Sequence, residues 1–230
     1  MNDIDVLYED NHIIVAVKPF NMLSQKDATN DIDILTLLKD YIKKKYNKPG
    51  NVYLGLVHRL DRPVGGVMVF ARSSKAASRL TEMFKKHDFT KKYLAVVNGI
   101  FENKEGNFKD YLLKDDKTGN TIVTDSKKGK YAELNYRVID ENKSNNLSLV
   151  EIELLTGRHH QIRVQFAYRG HCLYGDQRYG KQDNEQIALW AYNISFTHPV
   201  KKENVSFKCF PPNDGIWKIF GTKLQNNSCK

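Results

Sequence analysis

Apolar residues in this chain gather in short runs, and that limits the fold more than any other feature. Ile13-Ile14-Val15-Ala16-Val17 and Val67-Met68-Val69-Phe70-Ala71 are the longest. Such a run fills one buried strand and falls far short of the ~18–20 residues a membrane-crossing helix needs. Polar punctuation surrounds them. Val6-Leu7-Tyr8 and residues 13–17 flank Glu9-Asp10-Asn11-His12, which reads as a hairpin. Lys18-Pro19 ends the second strand because proline cannot continue a ladder. Asn21 follows where the chain must bend, and asparagine tolerates a positive φ.

Helical spacing alternates with these strands. Asp33 caps a predicted helix to about Tyr46, with Ile34, Leu35, Leu38, Tyr41 and Ile42 along one stripe. Residues 67–71 read as a buried strand, and Ser73 or Ser74 then caps a helix carrying Ala76, Ala77, Leu80, Met83 and Phe84. Residues 93–97 return as a strand, and the polar stretch 101–130 is compatible with hairpins or with a mobile insert. Val150-Glu151-Ile152-Glu153-Leu154 alternates cleanly and predicts a strand. Thr156-Gly157 stops it, and residues 160–169 resemble a helix closed by Gly170. Strands and helices mix without a steady βαβ rhythm, so the expected class is α+β, in one domain over residues 1–222 with a frayed tail at 223–230.

With 40% hydrophobic and 27% charged residues, the chain is neither disordered nor of low complexity. Its acidic start lacks the basic region and cleavage site of a secretory signal, and Cys172, Cys209 and Cys229 show no metal-ligand spacing. A cytoplasmic protein without a membrane anchor is expected, with a monomer as the default. The formal net charge of +9 attracts polyanions. Basic residues crowd between Arg72 and Lys92, where only Glu82 and Asp88 oppose them; a solvated helix face is the plain alternative. Arg158, Arg163, Arg169 and Arg178 interleave with Tyr168, Tyr174 and Tyr179, as stacking on unpaired bases requires, and this favours RNA. The loops and elbows of nucleotide-driven, nicotinamide-dependent and zinc-hydrolase chemistry are missing from the sequence. His159-His160 and His171-Cys172 make poor metal ligands, because adjacent positions point apart.

Two dense runs remain. In Val57-His58-Arg59-Leu60-Asp61-Arg62-Pro63-Val64-Gly65-Gly66, an aspartate sits between two arginines, just before a proline turn. Turns favour aspartate for their own sake. A loop between two apolar strands also presents a side chain into a cleft, where a partly desolvated carboxylate is a nucleophile or base. The second run, Thr156-Gly157-Arg158-His159-His160-Gln161-Ile162-Arg163, lies where a strand gives way to a helix whose first turn has N–H groups for phosphate; plain surface charge is the alternative.

Here the sequence becomes recognisable. His58-Arg59-Leu60-Asp61, the segment from Lys92-Tyr93 to Asn98-Gly99, the run from Thr156 to Arg163, and Gly175-Asp176-Gln177-Arg178-Tyr179-Gly180 resemble, in order, the RluA-type family of RNA pseudouridine synthases. The resemblance extends over about residues 4 to 212 and covers the catalytic part alone, without the S4 RNA-binding domain of many relatives. It implies a pseudouridine-synthase-type domain: a mixed, mostly antiparallel sheet with flanking helices and a central basic cleft. It implies Asp61 as the catalytic aspartate, Tyr93 against the target base, and Arg163 as the partner holding Asp61. Arg59 matches the residue that enters the RNA stack when the uridine leaves it; Leu189 lines the base pocket. Arg62, Lys92, Arg158 and His160 complete the expected RNA contacts. Val64-Gly65, Gln165 and Trp190 depart from the family's usual Thr-Ser, histidine and histidine, which leaves the exact target open.

The resemblance implies an isomerase acting on specific uridines in structured ribosomal or transfer RNA, with no metal, nucleotide or redox cofactor. Asp61 would act on a flipped-out uridine. A protein that holds structured RNA without modifying it also explains the charge and the aromatics, but gives the Asp61 loop no task. An enzyme of free nucleosides would show little salt dependence, whereas RNA binding weakens steeply with salt.

Overall fold

The computed structural model describes residues 4–224. The chain begins with β1 (Val6–Glu9), β2 (Ile13–Lys18), α1 (Ile34–Lys45), β3 (Gly55–Leu56), β4 (Gly65–Ala71) and α2 (Ser74–Lys85). It continues through β5 (Phe89–Asn98), β6 (Glu105–Lys114), β7 (Thr121–Thr124), β8 (Lys130–Asn142), β9 (Leu147–Leu154) and α3 (Gln161–Tyr168). Then come β10 (Leu189–Thr197), β11 (Asn204–Lys208), a 3-10 turn (Gly215–Phe220) and α4 (Gly221–Leu224). The described residues form two compact units: 4–89 with Ala191–Cys209, and Thr90–Trp190 with 210–224.

In the first unit the strand order is β1-β2-β4-β10, with β3 beside β4 and β11 beside β10. The β1–β2 hairpin closes as its sequence suggests. Asp10 Oδ1 accepts from the backbone N–H groups of His12 (2.7 Å) and Ile13 (2.8 Å). β2 and β4 are buried along their whole length, which is why they read as unbroken apolar runs. Asp33 caps α1 by accepting from Thr36 N at 2.9 Å, and Ile34, Leu38 and Ile42 face inward. Ser73 caps α2 through Ala76 N at 3.2 Å. Gly66, inside β4, has φ +127°, and a Cβ there would overlap the backbone of Ala191. Only glycine fits this approach.

The second unit is an antiparallel sheet in the order β5-β9-β8-β6-β7. The polar stretch 101–130 supplies β6 and β7, so it is built of hairpins. α3 covers one face. Val164 packs with Leu112 and Ala132 beside Val123 and Tyr179, and Phe166 meets Phe101, Phe108 and Tyr136. This helix starts one residue later than expected, because His160 takes a left-handed conformation (φ 51°, ψ 23°) and stands outside it. Gly170, at φ +80°, closes the other end by donating to Ala167 O at 3.0 Å. The register-defined strand pairs are all antiparallel, and the expected α+β class holds. Lys223 and Leu224, expected to fray, belong to α4; the rest of that tail lies outside the described residues. No helix among the described residues is long and apolar enough to cross a membrane.

Candidate active site

Asp61 occupies the loop from β3 to β4, half-buried between exposed Arg59 and Arg62. Val64 N donates to Asp61 O at 3.0 Å and closes the turn. Arg62 pairs with Asp31 at 2.6 Å, an exposed contact worth at most about 1 kcal/mol. His58 Nε2 accepts from Val69 N at 3.1 Å, which leaves the ring proton on Nδ1, and its ring stacks on Phe84 with centroids 5.0 Å apart. His58 therefore ties the start of the loop to β4. The backbone of Leu60 is held by Ser24, whose Oγ donates to Leu60 O (2.8 Å) and accepts from Leu60 N (3.1 Å). Beyond it, Lys18 Nζ donates to Arg62 O at 3.0 Å. Lys18 is fully buried. Burial pushes its pKa down to about 7, while the Asp61 charge pulls upward and the Arg62 charge adds to the fall.

The second unit gathers several other expected residues. Arg163 grips Asp176 through two parallel bonds, Nε to Oδ2 at 2.8 Å and Nη2 to Oδ1 at 2.7 Å. The backbone N–H groups of Arg178 (2.9 Å) and Tyr179 (3.1 Å) also donate to Asp176 Oδ1. Burial alone would raise the Asp176 pKa, but Arg163 and these N–H groups outweigh it and hold the carboxyl below its ordinary value. The result is a guanidinium whose plane is fixed, 5.3 Å from the Tyr179 ring centre. Tyr179 Oη lies 2.8 Å from His160 Nδ1 and accepts from Thr121 N, also at 2.8 Å. His159 stacks on His160 at 3.7 Å and reaches Thr121 Oγ1 at 2.9 Å. Arg158 is tied by Nε to Tyr131 O at 2.7 Å. His160 and Arg163 are thus joined through Tyr179.

Tyr93 is buried at 9% exposure on β5, opposite Ile152 of β9. Its neighbour Lys92 leaves the other face of the strand. There Lys92 Nζ approaches Glu151 at 3.8 Å. It lines a groove of about 430 Å³ together with Glu105, Asn107, Asn135, Arg137 and Glu153. That groove is mixed in charge and faces away from Tyr93. Lys91, on Tyr93's side, is half-buried with its pKa lowered by burial, and its Nζ stands over Gly157. Leu189 is buried at the start of β10.

Sequence reasoning gave no site role to Asp176 and counted Tyr179 only among the aromatics that interleave with arginines; it gave none to Lys18 or Ser24. The first two lie inside a motif whose aspartate precedes an arginine and a tyrosine. Lysine before proline at the end of an apolar strand was the available signal for Lys18. Among the described residues no group of His, Cys, Asp and Glu is arranged to hold a metal ion.

Comparison with known proteins converges on one family. The profile of a family described as RNA pseudouridylate synthase matches residues 12–168. Ribosomal large subunit pseudouridine synthase D of Zymomonas mobilis is 31% identical over 226 residues, covering 92% of this chain and 70% of that protein. The uncharacterized RNA pseudouridine synthase YhcT of Bacillus subtilis is 34% identical over 205 residues, covering 87% of this chain and 66% of that one. Ribosomal large subunit pseudouridine synthase C of Escherichia coli O157:H7 is 31% identical over 233 residues, with coverage of 96% and 70%. Among solved structures, Human RNA Pseudouridylate Synthase Domain Containing 4 superposes with a TM-score of 0.78 at 21% identity, covering 96% of this chain and 93% of that one, which shows a common fold.

Proposed function

This chain belongs to the RluA-type family of RNA pseudouridine synthases, and we propose that Asp61 is the group with which it converts uridine in RNA to pseudouridine. The observation that carries this reading is the Asp61 turn. A half-buried carboxylate is presented between two arginines by a loop whose backbone is hydrogen-bonded on both sides of it. The reaction breaks the bond from uracil N1 to the ribose and makes one from C5; C5 loses a proton and N1 gains one. The change is an isomerisation, so its balance calls for no cofactor.

In this reading Tyr93 lies against the base, Arg163 steadies the Asp61 carboxylate, Leu189 lines the base pocket, and Arg59 fills the stack the uridine leaves. Extruding the uridine costs a few kcal/mol, which RNA contacts from Arg62, Arg158 and His160 would offset. Lys92 would meet RNA only from the other face of its strand. The relatives' names favour ribosomal over transfer RNA as the substrate. The proposal includes a single catalytic domain over residues 1–222, acting as a monomer in the cytoplasm.

The test is Asp61→Asn with bulk or ribosomal RNA. The variant should bind RNA as wild type does and form no pseudouridine. Normal turnover by it would end the assignment, and wild-type protein that binds RNA without product would favour a non-catalytic RNA binder.

A further inference from the structure

We propose that His159 is a stacking platform for an unpaired base close to the target uridine, an inference that rests on RNA being the substrate. Every residue involved lies within the second unit.

In a regular helix or strand neighbouring side chains diverge, so two consecutive histidines do not ordinarily meet. Here they do. His160 takes a left-handed backbone (φ 51°, ψ 23°), uncommon for a residue with a side chain. The His159 and His160 rings stack, with centroids 3.7 Å apart and planes inclined by 27°. One threonine pins both rings. His159 Nδ1 lies 2.9 Å from Thr121 Oγ1, and Thr121 is buried at the start of β7. The backbone N–H of Thr121 donates to Tyr179 Oη, which lies 2.8 Å from His160 Nδ1. The Tyr179 ring stands edge-on to His160 at 5.6 Å, and its centre is 5.3 Å from the Arg163 guanidinium carbon. Four planar groups therefore follow one another, Arg163, Tyr179, His160 and His159, from a buried guanidinium to an exposed imidazole.

Stacking on a mobile surface side chain costs the freedom that side chain gives up. Thr121 and His160 have already taken that freedom from His159. A fixed, exposed aromatic ring accepts a base of any identity, because every base has a π-face. In a duplex those faces cover one another, so the fitting partner is an unpaired stretch of RNA. Cations stand by for its phosphates. Arg158 adjoins His159 in sequence and is held by Nε to Tyr131 O at 2.7 Å. Arg178 Nη1 donates to Gly119 O (2.9 Å) and Asn120 Oδ1 (3.0 Å), in the turn leading to Thr121. In the reading above Arg163 serves the reaction and Tyr93 meets the uridine. The base on His159 then belongs to a neighbouring nucleotide of the same strand.

The test uses uridine oligonucleotides, each carrying one 2-aminopurine whose fluorescence falls when its ring stacks. They are titrated with wild type, His159→Ala and His159→Phe, and an RNA duplex of the same length is the control. Wild type and His159→Phe should quench the probe at one position. His159→Ala should lose that quench and bind the single strand about fivefold to tenfold more weakly, with duplex affinity within about twofold of wild type. Equal loss on single strand and duplex would assign His159 to phosphate contact or to folding, and overturns the proposal. Quenching by His159→Ala that matches wild type overturns it too, as does a His159→Phe protein as weak as His159→Ala. Wild type that leaves every position bright has the same force. Asp61→Asn, run alongside, should quench as wild type does. Pseudouridine formation by that variant would overturn the assignment of Asp61 alone, and wild type that quenches without forming product would remove the catalytic reading and leave the platform standing.

Discussion

Replacing Asp176 by asparagine tests whether the Arg163 fork is a structural fixture. The paired side chains are 7% and 0% exposed, so nearly all of their hydration is gone. Asparagine keeps one acceptor oxygen but turns its NH2 toward the guanidinium and removes a charge that compensates it. Breaking a buried pair by deleting one partner destabilises by about 3–5 kcal/mol; with one acceptor retained, about 3 kcal/mol is expected. At this chain length that is roughly 6–12 °C in thermal midpoint. The sign of the pH dependence follows from the lowered Asp176 pKa. Stability from this carboxylate is fully present above its ordinary value of 3.8 and is lost as pH falls through the lower folded value. The gap between wild type and Asp176→Asn should therefore be widest near neutrality and shrink in acid. Urea unfolding at several pH values, with the slope checked for constancy, measures it. A gap under about 0.5 kcal/mol at pH 7, or one that does not shrink in acid, would refute the reasoning. Arg163→Met with Asp176→Leu separates stability from catalysis. Apolar residues of similar volume often replace a buried pair without loss, so folding should recover while turnover stays low if Arg163 serves the reaction.

Two further outcomes follow from the first unit. Gly66→Ala should destabilise by ~3 kcal/mol or more, since it combines a positive φ with overlap on the Ala191 backbone; an unchanged melting temperature would contradict that geometry. His198 is buried, its Nδ1 accepts from Val200 N (3.2 Å) and Lys201 N (2.9 Å), and its Nε2 lies 3.1 Å from Asp10 Oδ2. Burial lowers its pKa below 6.5, with Lys201 and His12 adding to the fall against the pull of Asp10. The neutral ring thus contributes stability above pH 6.5 that is lost as pH falls through the folded value. The loss is at most about 1.4 kcal/mol per pH unit, and His198→Gln should remove that dependence in an unfolding series from pH 7.5 to 5.

Much of the fold was legible because local rules and tertiary packing agree. Asp33 and Ser73 cap helices where their sequence positions suggest, and the five-residue apolar cores of β2 and β4 are strands buried throughout. β8 and β11 carry an alternating pattern that the reading passed over: Ala132, Leu134 and Tyr136 of β8 feed the core while Tyr131, Glu133, Asn135 and Arg137 face outward, and Val205 and Phe207 of β11 alternate with Asn204, Ser206 and Lys208. The start of α3 was misjudged because His160 departs from helical geometry by its backbone alone, which no propensity reports. Asp61 stood out by its flanking charges. Asp176 did not, because its importance comes from burial and from four hydrogen-bond donors contributed by three residues, among them Arg163, 13 positions away.

The lysines beside Tyr93 show what single positions withhold. Lys91 and Lys92 have the same chemistry, and only the family resemblance, which begins at Lys92, favours Lys92 as the RNA contact. Strand parity separates them. With Lys92 paired to Glu153 and Tyr93 to Ile152, Tyr93 and Lys91 share one face and Lys92 takes the other. The environments then diverge. Lys92 meets Glu151, itself bonded to Arg137, in a groove where carboxylates balance the cations. Lys91 loses hydration beside Gly157, at the start of the segment that carries Arg158, His160 and Arg163. A polyanion gains little from the Lys92 groove, where carboxylates offset the cations. Whichever face of this sheet meets RNA, residues two apart on β5 will act together and adjacent ones will not.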